Sequence, residues 1–210
     1  MHRLRRSDGD VTKKKILQSA AELIAQHGFA MTSNKAIAEA ADVDLASINY
    51  HFKGRDGLYQ AILTEAHRQY FDEQDLIELV ASNLSPEDKL GMFFEKLVVK
   101  LLSGNTWYSQ VLMRELLASS AQLNQFIEQD GARKFVLVRQ MISDASGLPV
   151  DHPQLLPCIL SVLAPCFMLI LAGSNPSSPL HSVSNMDAHD LAMHLKAFSL
   201  AGLKAIRGQA

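Results

Sequence analysis

Apolar residues recur along this chain at intervals of three and four, the spacing that lines one face of an α-helix, and alternating strand-like runs are scarce. Ile16, Ala20, Leu23 and Ile24 form one stripe, with Leu17 and Ala21 beside them, and Gly28 follows His27 where a helix would close. A first helix over about 11–27 is expected. Thr32 or Ser33 can cap a short second helix carrying Ile37, Ala38 and Ala41, and Asp44 can cap a third over about 45–51. A fourth runs from about Arg55, with Leu58, Ile62, Ala66 and Tyr70 on one side. Ser85-Pro86-Glu87-Asp88 is a strong helix start: a hydroxyl cap, proline in the first turn and a carboxylate three residues beyond the cap. Leu90, Phe93, Phe94, Leu97, Val98 and Leu101 then mark a buried face that Gly104 ends. Helices over about 107–121 and 123–146 follow, the latter closed by Gly147 and Pro149, and Asp187 with Asp190 starts a last helix through about Ile206. The pattern predicts an all-α protein. A small amino-terminal unit, 1–54, carries a basic arm at 1–10 and is joined without a linker to a larger helical body, 55–210.

One stretch breaks the amphipathic rule. From His152 to Met186 there is no Asp, Glu, Lys or Arg, and residues 155–173 are almost wholly apolar. A membrane span needs about 20 such residues, so a membrane-anchored helical protein is the rival reading. Pro157 and Pro165 interrupt the segment, no basic residue flanks it closely, and no second span exists. A helix apolar on all sides is otherwise one buried on several sides, as at a subunit interface. The last helix offers a matching face, with Leu191, Leu195, Phe198 and Gly202 on one stripe and small residues such as Ala192 permitting close approach. Leu160, Leu163 and Phe167 supply the apolar side of the earlier helix. Packing within one chain would use the same residues.

Charge changes the picture only at the amino end. The whole chain carries a formal charge of −2, but residues 1–60 hold nine basic to seven acidic side chains and the first fifteen hold six to two. Arg3, Arg5, Arg6 and Lys13-Lys14-Lys15 suit phosphate. The two cysteines, Cys158 and Cys166, have neither metal-ligand nor disulfide-framework spacing and fit a reducing cytosol. No apolar leader follows Met1, which also fits a cytoplasmic chain.

The stretch from Thr32 to Phe52 reads as helix, tight turn, helix. Ala38 is small enough for a steep crossing, Ile37, Val43 and Ile48 anchor both sides, and Asp42 stands where the turn needs positive φ. Such a pair places its second helix in a DNA major groove. At 100° per residue Leu45 and Phe52 fall near Ile48 and face inward, whereas Ala46, Ser47, Asn49, Tyr50 and Lys53 face outward. That outer face is small or polar and lacks a carboxylate, which suits base edges and phosphate oxygens.

These residues, with Lys15-Ile16-Leu17, Ala20 to Ile24, Gly28-Phe29, Ser47-Ile48, Tyr50-His51-Phe52 and Arg55-Asp56-Gly57-Leu58, resemble the TetR family of bacterial transcriptional regulators over about 11–64. The resemblance implies a homodimer whose amino-terminal unit binds a partly palindromic double-stranded DNA operator and whose divergent body binds a small effector, most simply a repressor released by that effector. It also implies that Ser47, Tyr50 and His51 meet phosphates and the groove, that Arg55 replaces a phosphate-binding lysine, and that Thr32, Ser33 and Lys35 form a second backbone-facing group. Asn49 and Ala46 depart from the common tyrosine and glycine, and asparagine can read adenine.

For the effector, Trp107, Tyr108, Met113, Phe126, Phe135, Met141, Phe167 and Met168 are candidate pocket residues, although residues of these types are more often plain core. Arg114-Glu115-Leu116 resembles a triplet of the CecR-like subgroup, and its charges are read as a structural bridge or a polar handle for ligand. No enzyme motif, no cofactor and no paired metal-ligand set is present; His181, His189 and His194 form at most a weak constellation.

Overall fold

The computed structural model describes residues 4–103, 106–174 and 176–208. Among them the chain forms eleven α-helices and no strand: α1 Leu4–His27, α2 Asn34–Ala41, α3 Leu45–Phe52, α4 Arg55–Tyr70, α5 Glu73–Ala81, α6 Pro86–Leu101, α7 Trp107–Leu117, α8 Ala121–Phe126, α9 Ala132–Ser146, α10 Leu155–Ser174 and α11 Ala188–Arg207. A π-helical turn, Ile127–Gly131, joins α8 to α9, and a 3₁₀ turn, His181–Asn185, precedes α11.

The caps explain most boundaries. Ser33 Oγ accepts from the Ala36 N–H at 3.1 Å and starts α2. Ser85 Oγ does the same for the Asp88 N–H at 3.1 Å, with Pro86 in the first turn of α6. Asp187 accepts from the His189 and Asp190 N–H groups, at 2.9 and 3.2 Å, to start α11. Asp44 occupies the cap of α3 without a side-chain hydrogen bond.

Several boundaries differ from the sequence reading. α1 begins at Leu4 rather than near 11, so residues 4–10 are its first turns; Met1, His2 and Arg3, and the side chains of Arg5 and Arg6, lie outside the described residues. Gly9 costs that helix only about 1 kcal/mol, and no proline interrupts it. α5 was not foreseen, because only Leu76 and Leu79 of its nine residues are buried and its start, capped by Asp72, is a run of polar residues. α7 stops at Leu117, four residues before the expected end, and the helix expected over 123–146 is broken into α8, a π turn and α9. Gly104 lies outside the described residues. The apolar segment 155–173 forms α10, with Pro165 inside it; among the described residues no helix is long and apolar enough to cross a membrane.

The chain divides into two compact units. The first takes residues 1–67 and 106–129, the second 68–105 and 130–210. The boundary expected at 54/55 therefore moves along α4, and α7 and α8 return to the amino-terminal unit. The reason lies in its core. Ile16, Ala20, Ile24, Ile37, Ile48, Leu58, Ile62 and Leu63 form a buried cluster that also includes Val111 and Phe126. Val111 of α7 and Phe126 of α8 thus complete the core that α1 to α4 begin. In the second unit, α6 packs on α9 and α11, and Leu90, Phe94, Val98, Met141, Ile142 and Leu155 are buried there.

Candidate nucleic-acid interface

The turn between α2 and α3 sets the interface. Asp42 adopts the left-handed conformation, φ 53°, and its N–H bonds the Glu39 carbonyl at 3.2 Å while that of Val43 bonds the Ala38 carbonyl at 3.0 Å. Two open carbonyls at the end of α2 are thereby satisfied, and α3 leaves at a new angle. Ile37, Ala38 and Ala41 of α2 and Ile48 and Phe52 of α3 are buried, which fixes the rotation of α3 about its axis. At its far end Gly57 lets α4 approach closely: a Cβ there would lie 1.9 Å from the Phe52 carbonyl oxygen, so no other residue fits.

With α3 so placed, Ala46, Asn49, Tyr50 and Lys53 are exposed, Tyr50 at 84%, and Ser47 and His51 are half-buried. The ring of His51 meets that of Tyr50 edge-on at 4.9 Å. Lys13 of α1 sits over the Phe52 ring at 5.8 Å, and Gly9 lies beside His51, so the start of α1 flanks this face. Ser33 and Lys35 are exposed at the start of α2, with Lys35 3.8 Å from Glu39 across one helical turn.

Three side chains are placed otherwise than expected. Leu45, the first residue of α3, is 52% exposed rather than inward-facing. Thr32 is buried, and its hydroxyl donates to the Gly28 carbonyl at 2.9 Å to close the end of α1. Arg55 does not project from the outward face. Its guanidinium donates to the Phe29 carbonyl and, at 3.3 Å, to that of Ala30, and it lies 4.4 Å over the Phe29 ring. Five donors on a rigid fork suit that clasp of a loop better than a lysine would.

Behind the interface a polar layer ties α7 to α1 and α4. Phe29 stacks on Tyr59 at 4.2 Å, and the Tyr59 hydroxyl donates to buried Glu115 at 2.5 Å. Burial, then the hydrogen bond from Tyr59 to Glu115, pushes the phenol well above its ordinary pKa. Arg114 Nε and Nη2 donate to the carbonyls of Ala25 and Gln26, at 3.3 and 3.0 Å, which cap the carboxyl end of α1 where a cation is favoured. Arg114 and Glu115 thus serve as structural bridges, each to a separate partner rather than to one another. The sequence signal for them was the charged pair inside an apolar helix.

The proposed pocket residues are divided between the two units. Trp107 and Phe126 pack on the core of the first unit and Met113 is half-buried in it, whereas Phe135, Phe167 and Met168 are exposed on α9 and α10 of the second. Tyr108 also packs on the first core, and Met141 is buried in the second unit. Within the second unit a cleft is lined instead by Tyr70, Phe71, Leu76, Leu79, Phe93 and Leu97, with Asp72, Asp75, Lys96 and Lys100 at its edge and Lys96 3.6 Å from Asp75. Half of this lining comes from the end of α4 and from α5, the helix that sequence patterning missed.

The expected interface residues separate likewise. Leu191, Ala192 and Leu195 are buried within the chain, Leu163 is half-buried, and Leu160, Phe167, Phe198 and Gly202 are exposed. His189 stands 3.6 Å from Glu95 and His194 stacks on Phe198; among the described residues no group of three or more His, Cys, Asp or Glu side chains could hold a metal ion.

Comparison with known proteins agrees with this geometry. Residues 16–62 match the bacterial regulatory proteins of the tetR family, and residues 86–203 match the carboxyl-terminal domain of the HTH-type transcriptional dual regulator CecR. The chain is 33% identical over 132 residues to the probable HTH-type transcriptional regulator YttP of Bacillus subtilis, a stretch that covers 63% of this chain but only 56% of that relative. The fold also matches a Bacillus subtilis regulator, FadR, solved in complex with stearoyl-CoA, with a TM-score of 0.70, 17% identity, and 90% and 98% of the two chains covered. A putative fatty acid metabolism regulator of Clostridium perfringens matches at TM-score 0.70 and 14% identity, over 90% and 97% of the chains. With its helix-turn-helix unit at the amino end and a CecR-type domain behind it, the chain belongs to the TetR family of DNA-binding transcriptional regulators.

Proposed function

We propose that this regulator is a homodimeric repressor that leaves a partly palindromic operator when a small effector binds its second unit. The exposed face of α3 carries the reading: Ala46, Asn49, Tyr50 and Lys53 point outward with no carboxylate among them. A face without negative charge avoids repulsion by phosphate, and its amide and hydroxyl groups match base edges and backbone oxygens. Ser33 and Lys35 extend it toward the phosphates, and Ser47 and His51 border it. Two copies of α3 held roughly 34–36 Å apart by a dimer would reach successive major grooves.

The dimer face is the exposed apolar strip of α10 and α11, centred on Leu160, Phe167, Phe198 and Gly202. The effector enters the cleft around Phe71, Phe93 and Leu97, whose apolar lining suits an apolar chain and whose two lysines stand beside two aspartates. Stearoyl-CoA, which the FadR neighbour binds, is the first probe. Such a ligand shifts the dimer only as far as it prefers one arrangement over the other.

The test is selection of bound duplexes from a randomised library, followed by gel shifts with variants. Tyr50→Ala weakens binding to every duplex, whereas Asn49→Ala changes the preferred sequence. Unchanged binding and preference in both variants would remove α3 from the interface.

A further inference from the structure

We infer that Leu45 is a specificity residue that reads a thymine methyl group beside an adenine read by Asn49. The inference rests on the operator reading of α3 and deepens it. Leu45 is a large apolar side chain left 52% exposed at the start of a helix whose other outward residues are small or polar. Helix geometry places it four residues before Asn49, on the same face and one turn away. A leucine in that position gains nothing from water and cannot bond phosphate. The major groove offers it one apolar partner, the thymine C5-methyl, while adenine offers the N6–N7 edge that an asparagine amide bonds with two hydrogen bonds. One helical turn advances about 5.4 Å and one base-pair step about 3.4 Å. Leu45 and Asn49 therefore address base pairs one or two steps apart, and the pair together selects an A·T-containing element.

Deoxyuridine differs from thymidine by that methyl group alone. The duplex that wild-type protein selects from a randomised library is synthesised twice, once with thymine and once with uracil throughout. Wild type binds the uracil duplex about fourfold more weakly per half-site, the effect of exposing one methyl-sized group to water. Leu45→Ala, at a position already 52% exposed, lowers the melting temperature only slightly and brings that ratio close to one. Equal binding of both duplexes by wild type, or a Leu45→Ala variant that keeps the full preference for thymine, overturns the assignment. A library from which wild type selects no duplex overturns the operator reading beneath it as well.

Discussion

The hydroxyl of Tyr59 on α4 donates to Oε1 of Glu115 on α7 at 2.5 Å, although fifty-six residues separate the two in sequence. The other carboxylate oxygen accepts from the Ser120 N–H at 2.9 Å. Tyr59 also stacks on Phe29, whose carbonyl Arg55 holds, so one buried carboxylate connects the 106–129 segment to the loop that precedes α2. That segment is flanked in the chain on both sides by parts of the second unit. A helix of the amino-terminal unit is thus covalently bounded by the body that carries the proposed effector cleft.

Tyr59→Phe removes the donor and leaves a buried carboxylate short of a partner, a loss of about 1–3 kcal/mol in unfolding free energy. The phenol is held protonated in the folded chain above its ordinary value near 10, because burial and Glu115 disfavour its anion. The stability it contributes is complete below the pKa of an unfolded tyrosine and declines as pH rises beyond about 10. Urea melts of wild type and Tyr59→Phe should therefore converge above that pH. A constant gap between the two would separate the stability loss from the proton.

Arg55 and Lys53 lie two residues apart and should behave differently. Lys53→Ala removes an exposed charge beside α3, so DNA binding weakens and the slope of affinity against salt falls by about one contact. Arg55→Ala frees the Phe29 and Ala30 carbonyls instead, lowering the melting temperature while leaving the salt slope in place. Titrations at several salt concentrations, paired with thermal melts, check both outcomes. A reduced slope for Arg55→Ala at unchanged stability would restore it to the phosphate contacts.

Phe198 is 71% exposed and Leu160 69% exposed, whereas Ala192 is 1% exposed. Glutamate at either of the first two positions should give folded monomers by sedimentation, since the charge would be buried only in the dimer. Glutamate at Ala192 should abolish folding, because the charge would enter the core of the chain itself. Intact dimers in both exposed-site variants would move the interface elsewhere.

Much of this was readable along the chain. Periodicity and capping residues gave the all-helical class and the starts of α2, α6 and α11, since a cap needs only a hydroxyl or carboxylate at one place and an open N–H two or three residues on. The residues from Thr32 to Leu58 carried the helix-turn-helix, because Asp42, Ile48 and Gly57 meet local demands of φ, burial and close approach. Exposure was harder to read. A wheel places Leu45 beside Ile48, but burial at the end of a helix depends on whether another element reaches that far. The bonds of Arg55 were equally out of reach, since its partners are carbonyls of a loop up to twenty-six residues earlier. Length and composition could not assign α7 and α8 to the amino-terminal unit either, nor draw the proposed effector cleft from the ends of α4, α5 and α6. Pattern records which face of a helix is apolar; only packing in three dimensions determines which apolar faces find one another, and the free energy of burial is collected there rather than along the chain.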